Sequence, residues 1–397
     1  MSSKPQLHAL TGLRFWLALW VVVFHQSETL GRVPPSVSGI LGTGYVAVGF
    51  FFVLSGFVLA YNYSLADAWP KRELVRFGMA RFARIYPAYV LGLAVVAPAI
   101  LFGAHGRLRP FSAMAACKES LLGVLNLALL QSWIPQTALS WNGPGWSLSN
   151  EAFFYLCFPF IGWRLWRLSG AASIGIGALC IWAAALAAPA IAMALPIAGF
   201  GNAPATYPVG GSFWPNLVKF HPLLRLPDFC MGILLARAFQ LCRESRLQGC
   251  GQYLYVPALA VLAIVPSQAG GIPYPAVHNS LLLPVYAGII LGLALGGGFL
   301  ARLLASRPLV FLGGASYAMY ILHAPLASWF FGAARRIYGH DVTGPVPVAG
   351  YALAVVTGAC LVFAYFEQPL NRYLRHRLSR FDQPDTVEHH DLECVTS

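Results

Sequence analysis

Long apolar segments recur along the whole chain and limit what it can fold into. A helix needs about 20 apolar residues to cross a bilayer core, where only helices and closed barrels satisfy their own backbone polar groups. Such segments predict an all-α, polytopic helical membrane protein with about ten transmembrane helices: residues 10–28, 44–63, 85–104, 149–166, 171–195, 226–241, 253–268, 280–300, 309–331 and 348–368.

Two short segments leave the number of spans between nine and eleven. Residues 226–241 are short for a span, and the apolar stretch 119–133 predicts a re-entrant or interfacial helix. The long loops at 105–148 and 196–225 are rich in Pro, Gly and Trp, and loops of this length often line a binding site. No internal repeat is visible, although many transporters have one.

The composition excludes several classes of protein. Hydrophobic residues make up 58% of the 397 and charged residues only 10%, against about 25% charged in ordinary soluble domains. This excludes a soluble two-domain enzyme, a disordered chain and a secreted disulfide scaffold. The eight Cys residues are scattered without a CxxC pair, and we expect no metal site. No small-residue cleavage site follows the first apolar run, so we expect that run to stay in the membrane.

Positive charge predicts the orientation of the bundle. The net charge of +12 comes from short basic clusters between apolar runs, which is typical of topology signals rather than of nucleic-acid binding. With ten spans and both termini cytoplasmic, most clusters fall on the inner side, whereas Arg107, Arg109, Lys118, Arg335 and Arg336 do not. We expect residues 1–381 to form a single integral-membrane domain and the acidic residues 382–397 to form a disordered tail.

Two ionisable residues share one face of the first span. Arg14 and His25 are eleven residues apart, close to three helical turns and about 16 Å along the axis. Ionisable groups inside a membrane are costly and are functional candidates by default. The alternative is that Arg14 is a snorkelling anchor and His25 an interfacial residue; we favour a functional pair.

Two further segments contain candidate residues. In the segment WSLSNEAFFY, Ser147, Glu151 and Tyr155 share a helix face. We expect Glu151 near the outer surface, at the depth of His25, although a carboxylate at a helix N-terminus explains it equally well. His323, in SYAMYILHAP, is more typical of a hydrogen-bonded structural residue.

A pair of arginines precedes the third span in the segment RFAR. Arg81 and Arg84 lie on one helix face, where two guanidinium groups are suited to bind phosphates bidentately. On spacing alone, the positive-inside rule explains them better.

In combination, six blocks resemble the acyltransferase-3 family of integral-membrane O-acyltransferases. They occur in family order and span most of the chain, with the middle (170–305) least diagnostic: TGLRFWLALWVVVFH, GYVAVGFFFVLSGFVLAY, RFARIYPAY, WSLSNEAFFYLCFP, SYAMYILHAP and FEQP. The resemblance implies about ten spans and transfer of an acyl group, usually acetyl from acetyl-CoA, to a hydroxyl of a sugar or other acceptor. Relatives of similar type acylate macrolides or exported polysaccharides. We expect no additional hydrolase-like domain.

The resemblance also implies roles for individual residues. Arg14 and His25 match the family's Arg, ten residues, His hallmark, and Arg81 and Arg84 match its Arg-x-x-Arg, which favours phosphate binding by that pair. Acyl-CoA is then a donor substrate rather than a bound cofactor, and the other partners are a hydroxyl-bearing acceptor and the lipid bilayer. Family occurrence makes the bacterial inner membrane the expected location.

The chemistry is attack of an alcohol on a thioester, for which a base must take the hydroxyl proton. We expect His25 to be that base and Glu151 to orient its imidazole, while an acyl-histidine intermediate stays open. Arg14 lies on the donor route, either steering the donor or stabilising charge. Ser55, Tyr155 and His323 are supporting candidates.

The main alternative function is a multi-span transporter of a small solute. A glycosyltransferase is a weaker alternative because the acidic residues are few and scattered. The oligomeric state stays open.

Overall fold

A computed structural model describes residues 7–31, 34–63, 65, 67–102, 113–195, 213–243, 247–265 and 272–380. This part of the chain is helical and contains no β-strand. Its α-helices are α1 (His8–Phe24), α2 (Pro35–Gly42), α3 (Val46–Asn62), α4 (Lys71–Phe102), α5 (Ala113–Leu127), α6 (Trp146–Trp166), α7 (Ala171–Ala194), α8 (Phe213–Phe220), α9 (Pro222–Arg243), α10 (Gln252–Ile264), α11 (Tyr274–His278), α12 (Leu283–Leu295), α13 (Gly298–Leu304), α14 (Arg307–Tyr338), α15 (Pro345–Val362) and α16 (Gln368–Arg380).

Each of the ten predicted spans coincides with helical structure, but several boundaries differ. The basic segment before the third span is not a loop, because α4 already begins at Lys71 and runs for 32 residues. The eighth span is divided between α12 and α13, since Gly296 and Gly297 adopt positive φ angles of 75° and 97°. Helices cannot continue through such residues. The stretch predicted as re-entrant or interfacial coincides largely with α5.

Helix length and composition identify a membrane protein. Five stretches of the described chain are long and apolar enough to cross a bilayer: Lys71–Leu101, Ala171–Ala194, Tyr274–Leu295, Arg307–Tyr338 and Pro345–Leu374. Three shorter apolar helices are His8–Phe24, Val46–Asn62 and Gln252–Ile264. The chain is therefore an all-helical membrane protein, while ten crossings and cytoplasmic termini stay predictions. The predicted tail, residues 382–397, lies outside the described residues.

Glycines bring the central helices into close contact. Helix α3 packs against α9, and a Cβ added at Gly232 would lie 1.9 Å from the Val53 carbonyl oxygen. Helix α1 packs against α14, where a Cβ at Gly313 would lie 1.9 Å from the Thr11 carbonyl oxygen. Membrane helices associate through such small residues because lipid tails are as apolar as leucine.

A buried ion pair ties α9 to the turn before α12. The Arg225 guanidinium lies 2.8 Å from the Asp228 carboxylate, and both side chains are 1% exposed. Arg225 also donates to the His278 carbonyl at 2.8 Å and to Asn279 Oδ1 at 2.9 Å, and Ser280 donates to Asp228. Because charges in a low-dielectric interior need partners on every side, this network fixes the position of α9.

Candidate active site

A cavity of about 140 Å³ lies between α1, α3, α4, α6 and α14. It has about ten times the volume that one water molecule needs. Six of the predicted residues line it: Arg14, Ser55, Arg81, Arg84, Glu151 and Tyr155. Tertiary packing thus brings together residues from four helices that are far apart in the chain.

Three guanidinium groups line one end of the cavity, which we call the arginine end (Arg14, Arg81 and Arg84). Arg81 packs over the rings of Tyr63 and Phe77 at 5.7 and 5.9 Å, and its Nε has no hydrogen-bond partner within the described chain. Arg14 lies within electrostatic range of Arg84. Like charges this close repel one another, so the site favours an anionic ligand.

The Glu151 carboxylate faces this cluster. Its Oε1 accepts hydrogen bonds from Ser55 Oγ at 2.8 Å and Tyr155 Oη at 2.6 Å, and it interacts electrostatically with Arg14. The predicted face of α6 is confirmed as a shared one, because Ser147, Glu151 and Tyr155 all line the cavity.

Sequence reasoning missed a second carboxylate, Glu367, at the arginine end. It closes the π-helical turn Phe363–Glu367, is 4% exposed and lies within electrostatic range of Arg84 and Arg14. Its Oε1 has no hydrogen-bond partner among the described residues. Pro369 lacks the N–H that would bond the Tyr365 carbonyl, which explains why the helix widens there. The signal was present in the sequence, because Glu367 is the carboxylate of FEQP and lies at the end of the tenth predicted span, 348–368.

We call the opposite end the tyrosine end (Ser147 and Tyr320). Ser147 and Tyr155 are eight residues apart on α6, so the two ends are separated by about 12 Å. Val48, Phe51, Phe52 and Leu148 make the wall apolar between them.

His25 lies beyond the tyrosine end and is not among the residues that line the cavity. Its side chain is exposed, and its Nδ1 lies 2.9 Å from the Val21 carbonyl. Because a carbonyl only accepts hydrogen bonds, Nδ1 carries the proton and Nε2 has a free lone pair. The ring is therefore held in the tautomer that a general base requires.

The prediction that Glu151 orients this imidazole is wrong. The Val21 carbonyl holds the ring, whereas Glu151 bonds Ser55 and Tyr155. Glu151 also lies deeper than predicted, because it follows Ser147 by one helical turn toward the arginine end. Helix α6 begins at Trp146, three residues before the predicted span, so Glu151 lies in its second turn rather than near its start.

His323 is the direct neighbour of His25. The ring centroids are 4.8 Å apart, and His323 is fully buried. Its Nδ1 donates to the Tyr320 carbonyl at 2.6 Å, which leaves Nε2 without a partner in the described residues. Pro325 lacks the N–H that would bond the Ile321 carbonyl, and Asn142 donates to that oxygen instead at 2.9 Å.

Comparison with known proteins gives a consistent result. A family model described as "Acyltransferase domain" matches residues 7–365. The chain is similar to Acyltransferase MdmB of Streptomyces mycarofaciens, with 29% identity over 96% of this chain and 95% of the relative. It is 22% identical to a putative O-acetyltransferase of Staphylococcus aureus (strain COL) over 91% of this chain and 57% of the relative. No solved structure matches.

Proposed function

Because the chain belongs to the acyltransferase-3 family, we propose that it is an acyl-CoA-dependent O-acyltransferase of the membrane. It moves an acyl group, in the first place acetyl, to a hydroxyl of a carbohydrate or macrolide-like acceptor. The observation that carries the proposal is the cavity itself, which has three arginines at one end and reaches toward the histidine pair at the other. The expected location is the bacterial inner membrane.

The arginine end binds the phosphates of the donor. Arg81 and Arg84 project from one face of α4, and planar guanidinium groups bind phosphate oxygens bidentately. Arg14 and Arg84 form no hydrogen bond or salt bridge within the described chain, so their donors are free for a ligand. The thioester arm of the donor then follows the apolar wall toward the tyrosine end.

The two carboxylates keep this cationic site stable when it is empty. Glu151 interacts electrostatically with Arg14, and Glu367 with Arg14 and Arg84, so the carboxylates offset part of the positive charge and the remainder is available to the donor. Ser55 and Tyr155 support the site indirectly, because their hydrogen bonds hold the Glu151 carboxylate in place. Without such partners, charges in a membrane interior would be strongly destabilising.

At the other end, His25 takes the proton of the acceptor hydroxyl on Nε2. The hydroxyl oxygen attacks the thioester carbon, and the proton passes from His25 to the departing CoA thiolate. His323 packs against His25 and limits the orientations of its ring. An acyl-histidine intermediate on Nε2 is the alternative route, and it uses the same tautomer.

The test is acetyl-CoA binding to the purified protein in detergent, measured by calorimetry. We expect Arg81→Ala/Arg84→Ala to weaken binding at least tenfold, because charge-assisted hydrogen bonds to phosphate are lost. The matched control is Arg335→Ala/Arg336→Ala. It removes two positive charges from the last turn of α14, outside the cavity, where the Arg335 side chain is 57% exposed. Unchanged affinity in the folded double variant would contradict the donor site. A wild type that binds no acyl-CoA would favour the transporter.

A further inference from the structure

Two hydroxyl groups meet at the tyrosine end of the cavity. Ser147 Oγ lies 2.9 Å from Tyr320 Oη, and both oxygens approach the Pro144 carbonyl, at 3.0 Å for Ser147 and 3.3 Å for Tyr320. Both residues line the cavity although they are only 5% and 8% exposed. They are therefore polar groups at the end of a largely apolar passage.

The two hydroxyls can exchange donor and acceptor roles. Each hydroxyl has one hydrogen, and within the described residues the acceptors are the Pro144 carbonyl and the other hydroxyl. In one arrangement Ser147 donates to the Pro144 carbonyl at 3.0 Å and Tyr320 donates to Ser147 Oγ at 2.9 Å. In the other, Ser147 donates to Tyr320 Oη, and the Tyr320 hydrogen has only the Pro144 carbonyl at 3.3 Å or a ligand oxygen in the cavity. Good O–H···O bonds measure about 2.7–2.8 Å. The Tyr320 hydrogen therefore loses little when it turns to a ligand in the cavity.

Tyr320 lies next to the histidine pair of His25 and His323. Its carbonyl accepts the His323 Nδ1 hydrogen bond, its ring is 5.8 Å from the His323 ring, and that ring is 4.8 Å from His25. Phe51 packs against the Tyr320 ring edge-to-face at 6.3 Å. The tyrosine is thus held between the cavity and the histidine pair.

We propose that the Tyr320 hydroxyl donates the hydrogen bond that stabilises the oxyanion of the reacting thioester, with Ser147 as its positioning residue. This rests on the proposed function. As the acceptor oxygen bonds to the thioester carbon, the carbonyl electron pair moves onto oxygen and the hydroxyl proton moves to His25. Tyr320 donates to that oxygen and keeps its proton. The pair then returns, the C–S bond breaks, and the CoA thiolate takes the proton from His25.

The test uses Tyr320→Phe, which keeps the ring and removes only the hydroxyl. With acetyl-CoA as donor and water as acceptor, we expect CoA release to slow about 10²–10³-fold while the Kd for acetyl-CoA stays within about twofold. Ser147→Ala should slow it about tenfold, as expected for one lost hydrogen bond to the donor. Tyr286→Phe is the matched control, because it removes a buried hydroxyl that bonds the Val46 carbonyl at 2.9 Å outside the cavity.

A second readout is the carbonyl stretching frequency of bound ¹³C-carbonyl acetyl-CoA in infrared spectra. A merely structural role of Tyr320 would not change this frequency. A hydrogen bond from Tyr320 lowers the carbonyl stretching frequency, so the shift should vanish in Tyr320→Phe and persist in Tyr286→Phe. Unchanged CoA release and an unchanged spectrum in folded Tyr320→Phe would overturn the role proposed for Tyr320 but not the proposed function. A wild type that neither binds nor cleaves acetyl-CoA would overturn the proposed function, and the assignment with it.

Discussion

At the scale of single residues, hydrogen-bond geometry selects the chemical form of His25. The Val21 carbonyl is four residues earlier on the same helix and holds the proton on Nδ1. The orienting group is therefore backbone, which no side-chain substitution removes, and His25 needs no carboxylate to act as a base. Glu151 instead interacts electrostatically with Arg14 and offsets part of its positive charge.

The first prediction concerns His25→Ala. Loss of the base should slow CoA release from acetyl-CoA by about 10²–10⁴-fold, because the acceptor proton has no nearby destination. The Kd for acetyl-CoA should not change, since the arginine end is separated from His25. The control is His340→Ala, at an exposed position after α14. Undiminished release by His25→Ala would exclude both roles for this histidine, and an acetyl group trapped on His25 would favour the covalent route.

At the scale of helices, the contact between α3 and α9 supports one wall of the cavity. Helix α3 contributes Ser55 and much of the apolar wall, and α9 supports it from behind. The two backbones come so close that a single methyl group at Gly232 has no room. Small residues at such a contact let the two helices approach closely and so hold the cavity wall in place.

The second prediction is that Gly232→Ala lowers the thermal stability of the protein in detergent by several degrees. The new Cβ would lie 1.9 Å from the Val53 carbonyl oxygen, so the helices must separate and lose packing contacts. Gly332→Ala on α14 is the control, because nothing lies within 4 Å of its Cβ. That variant should keep or slightly gain stability, since alanine favours a helix. Equal melting temperatures in the two variants would contradict the packing argument.

At the scale of the whole molecule, the cavity and the histidine pair define a direction across the membrane. Along α6 the tyrosine end at Ser147 comes before Glu151 and Tyr155 near the arginine end, and His25 lies beyond the tyrosine end. If the arginine end faces the cytoplasm, as the positive-inside rule predicts, the donor enters from inside and the acyl group moves outward. The direction of transfer therefore depends on topology, which stays a prediction.

The third prediction tests this topology with reporters fused to the C-terminus. Both termini are expected in the cytoplasm, so a fluorescent protein should fold and an alkaline phosphatase should stay inactive. A fusion at Asp341, in the loop between α14 and α15, should show the reverse pattern. Active phosphatase at the C-terminus would mean an odd number of spans or an inverted bundle.

Local patterns in the sequence were enough to predict where the helices lie and which residues share a helix face. Apolar length predicted helices at all ten positions, since backbone hydrogen bonds in lipid must close within the helix. Helical periodicity placed Ser147, Glu151 and Tyr155 on one face, because neighbours on a helix surface are three and four residues apart. Charge within apolar segments identified Arg14, which lines the cavity together with Arg81 and Arg84.

Only tertiary packing decided which groups meet. Ser55 and Glu151 are 96 residues apart, and Ser147 and Tyr320 are 173 apart, yet each pair is hydrogen-bonded. Periodicity reports the face of one helix and contains no information about its partner. Close glycine contacts determine how near the central helices approach, and Pro325 and Pro369 each remove one backbone hydrogen bond, near His323 and Glu367. For that reason the sequence predicted candidate residues, whereas the structure shows that six of them line one cavity together with Tyr320, with Glu151 near Arg14 rather than His25 and with Glu367 beside the arginines.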